Sequence, residues 1–157
     1  MNLIKPSVEI IPQEPGLPGV YKQIEIAGRT CYKSEHLITG DSAKNFVQKM
    51  IMNNHTAMLE HGTVYLTIPL VDWQKHAKMI SWIFPEGCPW VHINEGEEYN
   101  YVTTNFRHTY IKSIDIEMLK KYMYSDISNH EKRVTVRFIC DRGVSHELVR
   151  HKKLCVA

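Results

Sequence analysis

The densest run of chemically capable side chains is Asp141-Arg-Gly-Val-Ser-His-Glu-Leu-Val-Arg-His151. His146-Glu147 opens as the zinc-protease motif His-Glu-x-x-His does, where two imidazoles stand one helical turn apart and the Glu serves as base. That motif needs its second His at position 150, which is Arg150 here, and His151 is rotated by about a further 100° around a helix. Two imidazoles so placed do not converge on one tetrahedral ion, so the expected metal set is none. Glu147 and Arg150 do fall at i, i+3, and His146 and Arg150 at i, i+4, the spacing of an ordinary ion pair on a solvated face. Arg150, His151 and Lys152 also place planar and cationic donors in succession. Phosphate recognition suits that run, since Arg offers a bidentate fork and Lys a point charge.

A second cluster is His55, Glu60 and His61, beside the apolar Met58 and Leu59. At least one of these imidazoles is expected in the core, and the spacing is no metal-ligand repeat. The cysteines Cys31, Cys88, Cys140 and Cys155 are widely spread. Only Cys155, after Lys152 and Lys153, has an electropositive neighbourhood that would favour a thiolate. The other three read as small buried hydrophobes. Trp73, Trp82, Phe84 and Trp90 fall at helical or strand-end spacing and read as core. No Gly-x-Gly-x-x-Gly, Walker loop or Gly-x-Ser-x-Gly is present.

The elements that must position these groups follow from periodicity. Residues 1–19, rich in proline, read as an extended arm. Val20 to Cys31 repeats apolar residues at helical spacing, and Asp41 is placed to cap a second helix with Phe46, Val47, Met50 and Ile51 on one stripe, fraying at Asn53-Asn54. His55 to His61 suits one or two helical turns. Thr63 to Ile68 and Tyr99 to Phe106 suit strands. Val71 to Phe84 and Ile114 to Tyr124 suit helices. Arg133 to Ile139 alternates as a strand, with Val134, Val136 and Phe138 on one face. Asp141-Arg-Gly143 reads as a turn, and Ser145 as the cap of a last helix. Without a strict βαβ rhythm the class is α+β, mixed helices packed on a small antiparallel sheet, in one domain spanning 1–157.

Composition bounds the partners. The 157 residues are 43% hydrophobic and 23% charged, enough for a core without a disulfide or metal staple. A formal charge of +2 excludes a strongly basic nucleic-acid binder. No apolar run is long enough to span a membrane. Met1 to Pro6 lacks a signal-peptide core, and the cysteine usage fits a reducing compartment, so a cytoplasmic location is expected.

Three stretches, taken in order, resemble the flavin-dependent thymidylate synthases. Ala27-Gly-Arg-Thr-Cys-Tyr32 is similar to that family's Ala-x-Arg-x-Ser/Cys helix end. His55-Thr-Ala-Met-Leu-Glu-His61 is similar to its His-x-Ser/Thr-x-x-Glu-His segment before a strand. Arg137 to His151 resembles the strand and helix that lead into its Arg-His-Arg signature. The resemblance covers roughly residues 20–152 and implies that family's fold, amino-terminal part only. It implies reductive methylation of dUMP to dTMP, with methylenetetrahydrofolate and NADPH as co-substrates and FAD as cofactor. By the same likeness His55, Glu60, Arg150, His151 and Lys152 would contact FAD, and Glu147 and Arg150 would contact dUMP. A homotetramer is the family's assembly, so a homo-oligomer is implied.

The chain also departs from the family pattern. Lys152 replaces the third signature Arg, keeping charge without the fork. Ala57 stands where a hydroxyl residue is usual, and Cys155 where the first serine of the tail belongs. The resemblance therefore implies a signature cut short and a chain incomplete by itself as an enzyme. The alternative reading is a non-catalytic flavin- or nucleotide-binding remnant or partner subunit.

Overall fold

A computed structural model describes residues 5–148 of the chain. Arg150, His151, Lys152 and Cys155 therefore lie outside the described residues. The elements run β1 (Ser7–Ile11), α1 (Gly16–Cys31), α2 (Ser42–Met52), a 3-10 turn (Thr56–His61), β2 (Thr63–Pro69), α3 (Leu70–Lys75), α4 (Ala77–Ile83), β3 (His92–Glu95), β4 (Tyr99–Asn105), α5 (Phe106–Ile111), α6 (Ile116–Leu119), β5 (Thr135–Ile139) and α7 (Arg142–Leu148). The class is α+β, with two small antiparallel sheets: the pair β1–β5 and the triplet β2–β4–β3.

The triplet is the floor of the core. Val64, Leu66 and Ile68 of β2 and Val102 of β4 turn one face inward, opposite one another in the register Leu66↔Val102. Helices α1 and α2 lie over that face with Leu17, Val20, Ile24, Phe46, Val47 and Met50, all buried. Leu59 of the 3-10 turn is fully buried between them, so that turn is fixed by packing as well as by hydrogen bonds. Asn105 ends β4 and caps α5, its side chain accepting from the His108 N–H at 2.8 Å.

Helix ends carry the positioning. In α1 the Ser34 N–H donates to the Arg29 carbonyl at 2.9 Å and the Lys33 N–H to the Thr30 carbonyl at 3.2 Å. Lys33 has φ +52°, which completes a left-handed C-terminal cap of the Schellman type. Helix α2 ends the same way: His55 N–H to Met50 carbonyl at 2.8 Å, Asn54 N–H to Ile51 carbonyl at 3.0 Å, with Asn54 at φ +57°. The fraying expected at Asn53-Asn54 is thus a formed cap that aims His55.

Other expectations need correction. The arm of residues 1–19 contains a strand, β1, paired with β5 in the register Glu9↔Arg137, and α1 begins at Gly16. Gln13 reaches across to β2, donating to the Thr63 carbonyl at 2.7 Å and accepting from its N–H at 2.8 Å. The helix expected over 71–84 is two short ones broken at His76, and the one over 114–124 is a single turn, α6, followed by a 3-10 turn. Asp41 makes no side-chain cap to α2; Ser42 Oγ instead accepts from the Thr39 N–H at 2.9 Å. Helix α7 begins at Arg142, with Asp141 accepting from the Val144 N–H at 3.0 Å, so Asp141 and not Ser145 caps it. Trp82 and Trp90 are exposed, whereas Phe84 is buried and Trp73 packs on the core. Cys31 is exposed, and Cys88 and Cys140 are only partly buried, so none of the three is the buried hydrophobe expected.

Candidate functional site

The two helix caps bring two of the three family-like stretches together. Tyr32, at the end of α1, and His55, at the end of α2, stack with ring centroids 6.1 Å apart and planes 25° from parallel. Tyr32 Oη and His55 Nδ1 are hydrogen-bonded at 2.9 Å. Both residues are exposed, so the pair presents a flat, hydrogen-bonding face to solvent.

Beneath that face lies an ion pair removed from water. Glu25 accepts from Arg29 Nε at 3.0 Å and from Ser42 Oγ at 2.9 Å. Its side chain is 2% exposed and that of Arg29 15%. The Arg29 guanidinium lies over the Phe46 ring, 4.9 Å from its centroid, a cation–π contact. Gly28 makes room for the same ring: a Cβ there would stand 2.6 Å from Phe46 Cζ. Ala27-Gly28-Arg29 thus ties α1 to α2 and fixes the distance between Tyr32 and His55.

The expected site residues divide. Glu60, five residues after His55, points elsewhere: its carboxylate is largely buried and paired with Arg107 of α5. His55 is exposed and His61 only half-buried, so neither imidazole lies in the core as expected; burial still holds His61 below the ordinary value of 6.5, the Glu60 carboxylate opposing. Glu147 stands exposed on α7, one turn of helix beyond β5. On the same helix Arg142 Nε donates to His146 Nε2 at 3.3 Å. Arg150, His151 and Lys152 lie outside the described residues. Among the described residues, no three His, Cys, Asp or Glu side chains gather as a metal-sized group. No described helix is long and apolar enough to cross a membrane.

A separate cleft of about 340 Å³ opens between α1, α2 and α5, with Tyr21, Val47, Ile51 and Phe106 among its walls. Burial, with Glu117 and Asp115 nearby, pushes the Tyr21 phenol above its ordinary value. His55, Glu60 and Glu147 do not line this cleft.

Sequence reasoning named His55 but missed its partner Tyr32, and it named Glu60 but missed Arg107. The signal for Tyr32 was its place at the end of the stretch 27–32 that the resemblance marks. Nothing in the local sequence marks Arg107, which reaches Glu60 only through the β4–α5 junction. No protein-family model, curated protein or solved structure matches this chain.

Proposed function

We propose that this chain is a flavin-dependent thymidylate synthase-like protein that holds FAD and dUMP. One observation carries the reading: the ordered, family-like stretches 27–32 and 55–61, separate in sequence, close onto each other through the Tyr32–His55 stack. A planar, exposed pair with a hydrogen-bonding edge suits an isoalloxazine or adenine ring, for which stacking on an aromatic contributes about 1–3 kcal/mol. Glu60 fits a flavin contact less well, because Arg107 already neutralises it.

In this reading His55 and Tyr32 hold the flavin, Arg150, His151 and Lys152 carry its phosphates, and Glu147 with Arg150 orients dUMP. When bound, FAD reduced by NADPH would supply the hydride, and methylenetetrahydrofolate the one-carbon unit. The residues' own share is binding and orientation. A homo-oligomer belongs to the same proposal. It is supported by one face of the β1–β5 ribbon, where Val8, Ile10 and Phe138 are exposed side by side.

Titration of FAD into the purified chain, followed by flavin fluorescence, tests the binding. Saturable quenching that His55→Ala and Tyr32→Ala weaken about five- to hundredfold is the expected result. Quenching absent, or indifferent to both substitutions, would defeat it. An assay for dTMP from dUMP, methylenetetrahydrofolate, NADPH and FAD then separates the two readings. Turnover makes the chain an enzyme; retained flavin without turnover makes it the non-catalytic binding subunit.

A further inference from the structure

The outer face of the β2–β4–β3 sheet is covered by a segment with no regular secondary structure, and one buried histidine fastens it. Tyr65 and Thr67 of β2 and Tyr101 and Thr103 of β4 point to this face, away from the core. His130 is 5% exposed and inserts among all four. Its ring meets Tyr65 edge-on at 5.3 Å and Tyr101 at 5.4 Å, with interplanar angles of 70° and 84°. Its Nε2 is 3.2 Å from Thr67 Oγ1 and its Nδ1 3.4 Å from Thr103 Oγ1. A neutral imidazole satisfies both hydroxyls, since a hydroxyl donates or accepts as required.

We propose that residues 126–133 form a strap that His130 latches to the outer sheet face and that mild acid unlatches. The remaining tethers are few and near the surface. Asn94 Nδ2 donates to the Asn129 carbonyl at 2.8 Å, and the Arg133 N–H donates to Tyr65 Oη at 3.2 Å. Arg133 Nη2 donates to the Trp90 carbonyl at 3.2 Å. None of these is a ladder, so the strap can lift while the sheet stays paired.

The charges around the latch decide the direction of the switch. Among the described residues no carboxylate is hydrogen-bonded to the His130 ring: its neighbours on β2 and β4 are two phenols and two hydroxyls. The Val102 carbonyl and the strap's own Asp126 favour a charged ring, but burial outweighs both and holds His130 below 6.5. Glu131 is engaged by His92 of β3 at 2.7 Å, an exposed pair at the strap's far side. Protonating His130 in the closed strap therefore puts a cation in a site that is 5% exposed, where the loss of hydration is the dominant cost. An open strap hydrates that cation. The closed state is fully favoured above about pH 6.5 and lost as the pH falls through the lowered folded value.

Opening would release the segment that leads directly into β5 and α7, so the position of Glu147 follows the latch. The inference does not depend on the flavin reading, and its test reads no activity. Amide hydrogen exchange, corrected for intrinsic rate, is measured between pH 7.5 and 5.0 at His130 and Arg133 and at Leu66 and Val102 of the ladder. One linked proton makes strap protection fall by up to about tenfold per pH unit below the transition, with the ladder amides unchanged. His130→Gln, which cannot charge, removes the step whether its strap rests closed or open. Strap and ladder losing protection together, a wild-type strap without a step, or a step that persists in His130→Gln would each overturn the proposal.

Discussion

Replacing Arg29 by Ala should unfold this protein far more readily than the loss of one cation on a surface would. Glu25 has two described partners, Arg29 Nε at 3.0 Å and Ser42 Oγ at 2.9 Å, and its side chain is 2% exposed. Removing the guanidinium strands a carboxylate with one hydroxyl donor, a loss that costs about 3–5 kcal/mol. The contact with Phe46 adds about 0.5–1 kcal/mol. In a domain of this size each kcal/mol moves Tm by about 2–4 °C, so a fall of roughly 7–24 °C is expected. Glu25→Gln in the Arg29→Ala background removes the stranded charge and should recover about 1.5 kcal/mol or more. Lys22→Ala is the control, because the Lys22–Glu14 pair is 46% and 61% exposed and is worth about 0.5 kcal/mol or less. Urea unfolding of the wild type and these three variants decides it. If Arg29→Ala costs no more than Lys22→Ala, or the double variant is no better than the single, the pair does not lock α1 to α2.

Four further outcomes follow. His61 and His130 are both held below 6.5 by burial, so the unfolded chain takes up those protons first. Stability is whole above about pH 6.5 and should fall with pH below it, by up to about 1.4 kcal/mol per unit per histidine; a urea midpoint higher at pH 5 than at pH 7.5 would contradict this. Gly62→Ala should cost about 1–3 kcal/mol, since the new Cβ would stand 2.7 Å from Ile24 Cδ1 and 2.8 Å from Val20 Cγ1. Gly40→Ala, with nothing within 4 Å, should stay within about 0.5 kcal/mol, and equal effects at the two sites would refute the packing argument. Lys33→Gly relieves a left-handed lysine at φ +52° and should stabilise by about 0.5–1 kcal/mol in thermal unfolding, with a smaller gain for Asn54→Gly.

What the sequence made legible was decided by local physics. Strands β2 and β4 could be read because β-branched and aromatic residues alternate there over a full strand length. Strand β1 could not, because its partner β5 is over a hundred residues away and its own residues look like an arm. The helix from Val71 to Phe84 has the right period, but His76 breaks it, and periodicity does not register one interrupted turn. Trp82 and Trp90 show the limit of reading aromatics as core, since Lys112 lies over the Trp82 ring at the surface, 4.9 Å from its centroid. At the candidate site, the choice of His55 and Glu60 as candidates was visible in the sequence, through the family resemblance. The divergence of those two side chains was not, because it follows from the cap of α2 on one side and from Arg107 on the other.

The ends of α1 and α2 are proposed to make one flavin-binding face. Calorimetric titration of FAD into the wild-type chain and into His55→Ala tests it most directly. Saturable binding is expected, weakened at least fivefold by His55→Ala while the urea midpoint stays close to wild type, since His55 is exposed. Wild-type protein that takes up no FAD, or a His55→Ala variant that binds it equally well, would contradict the claim.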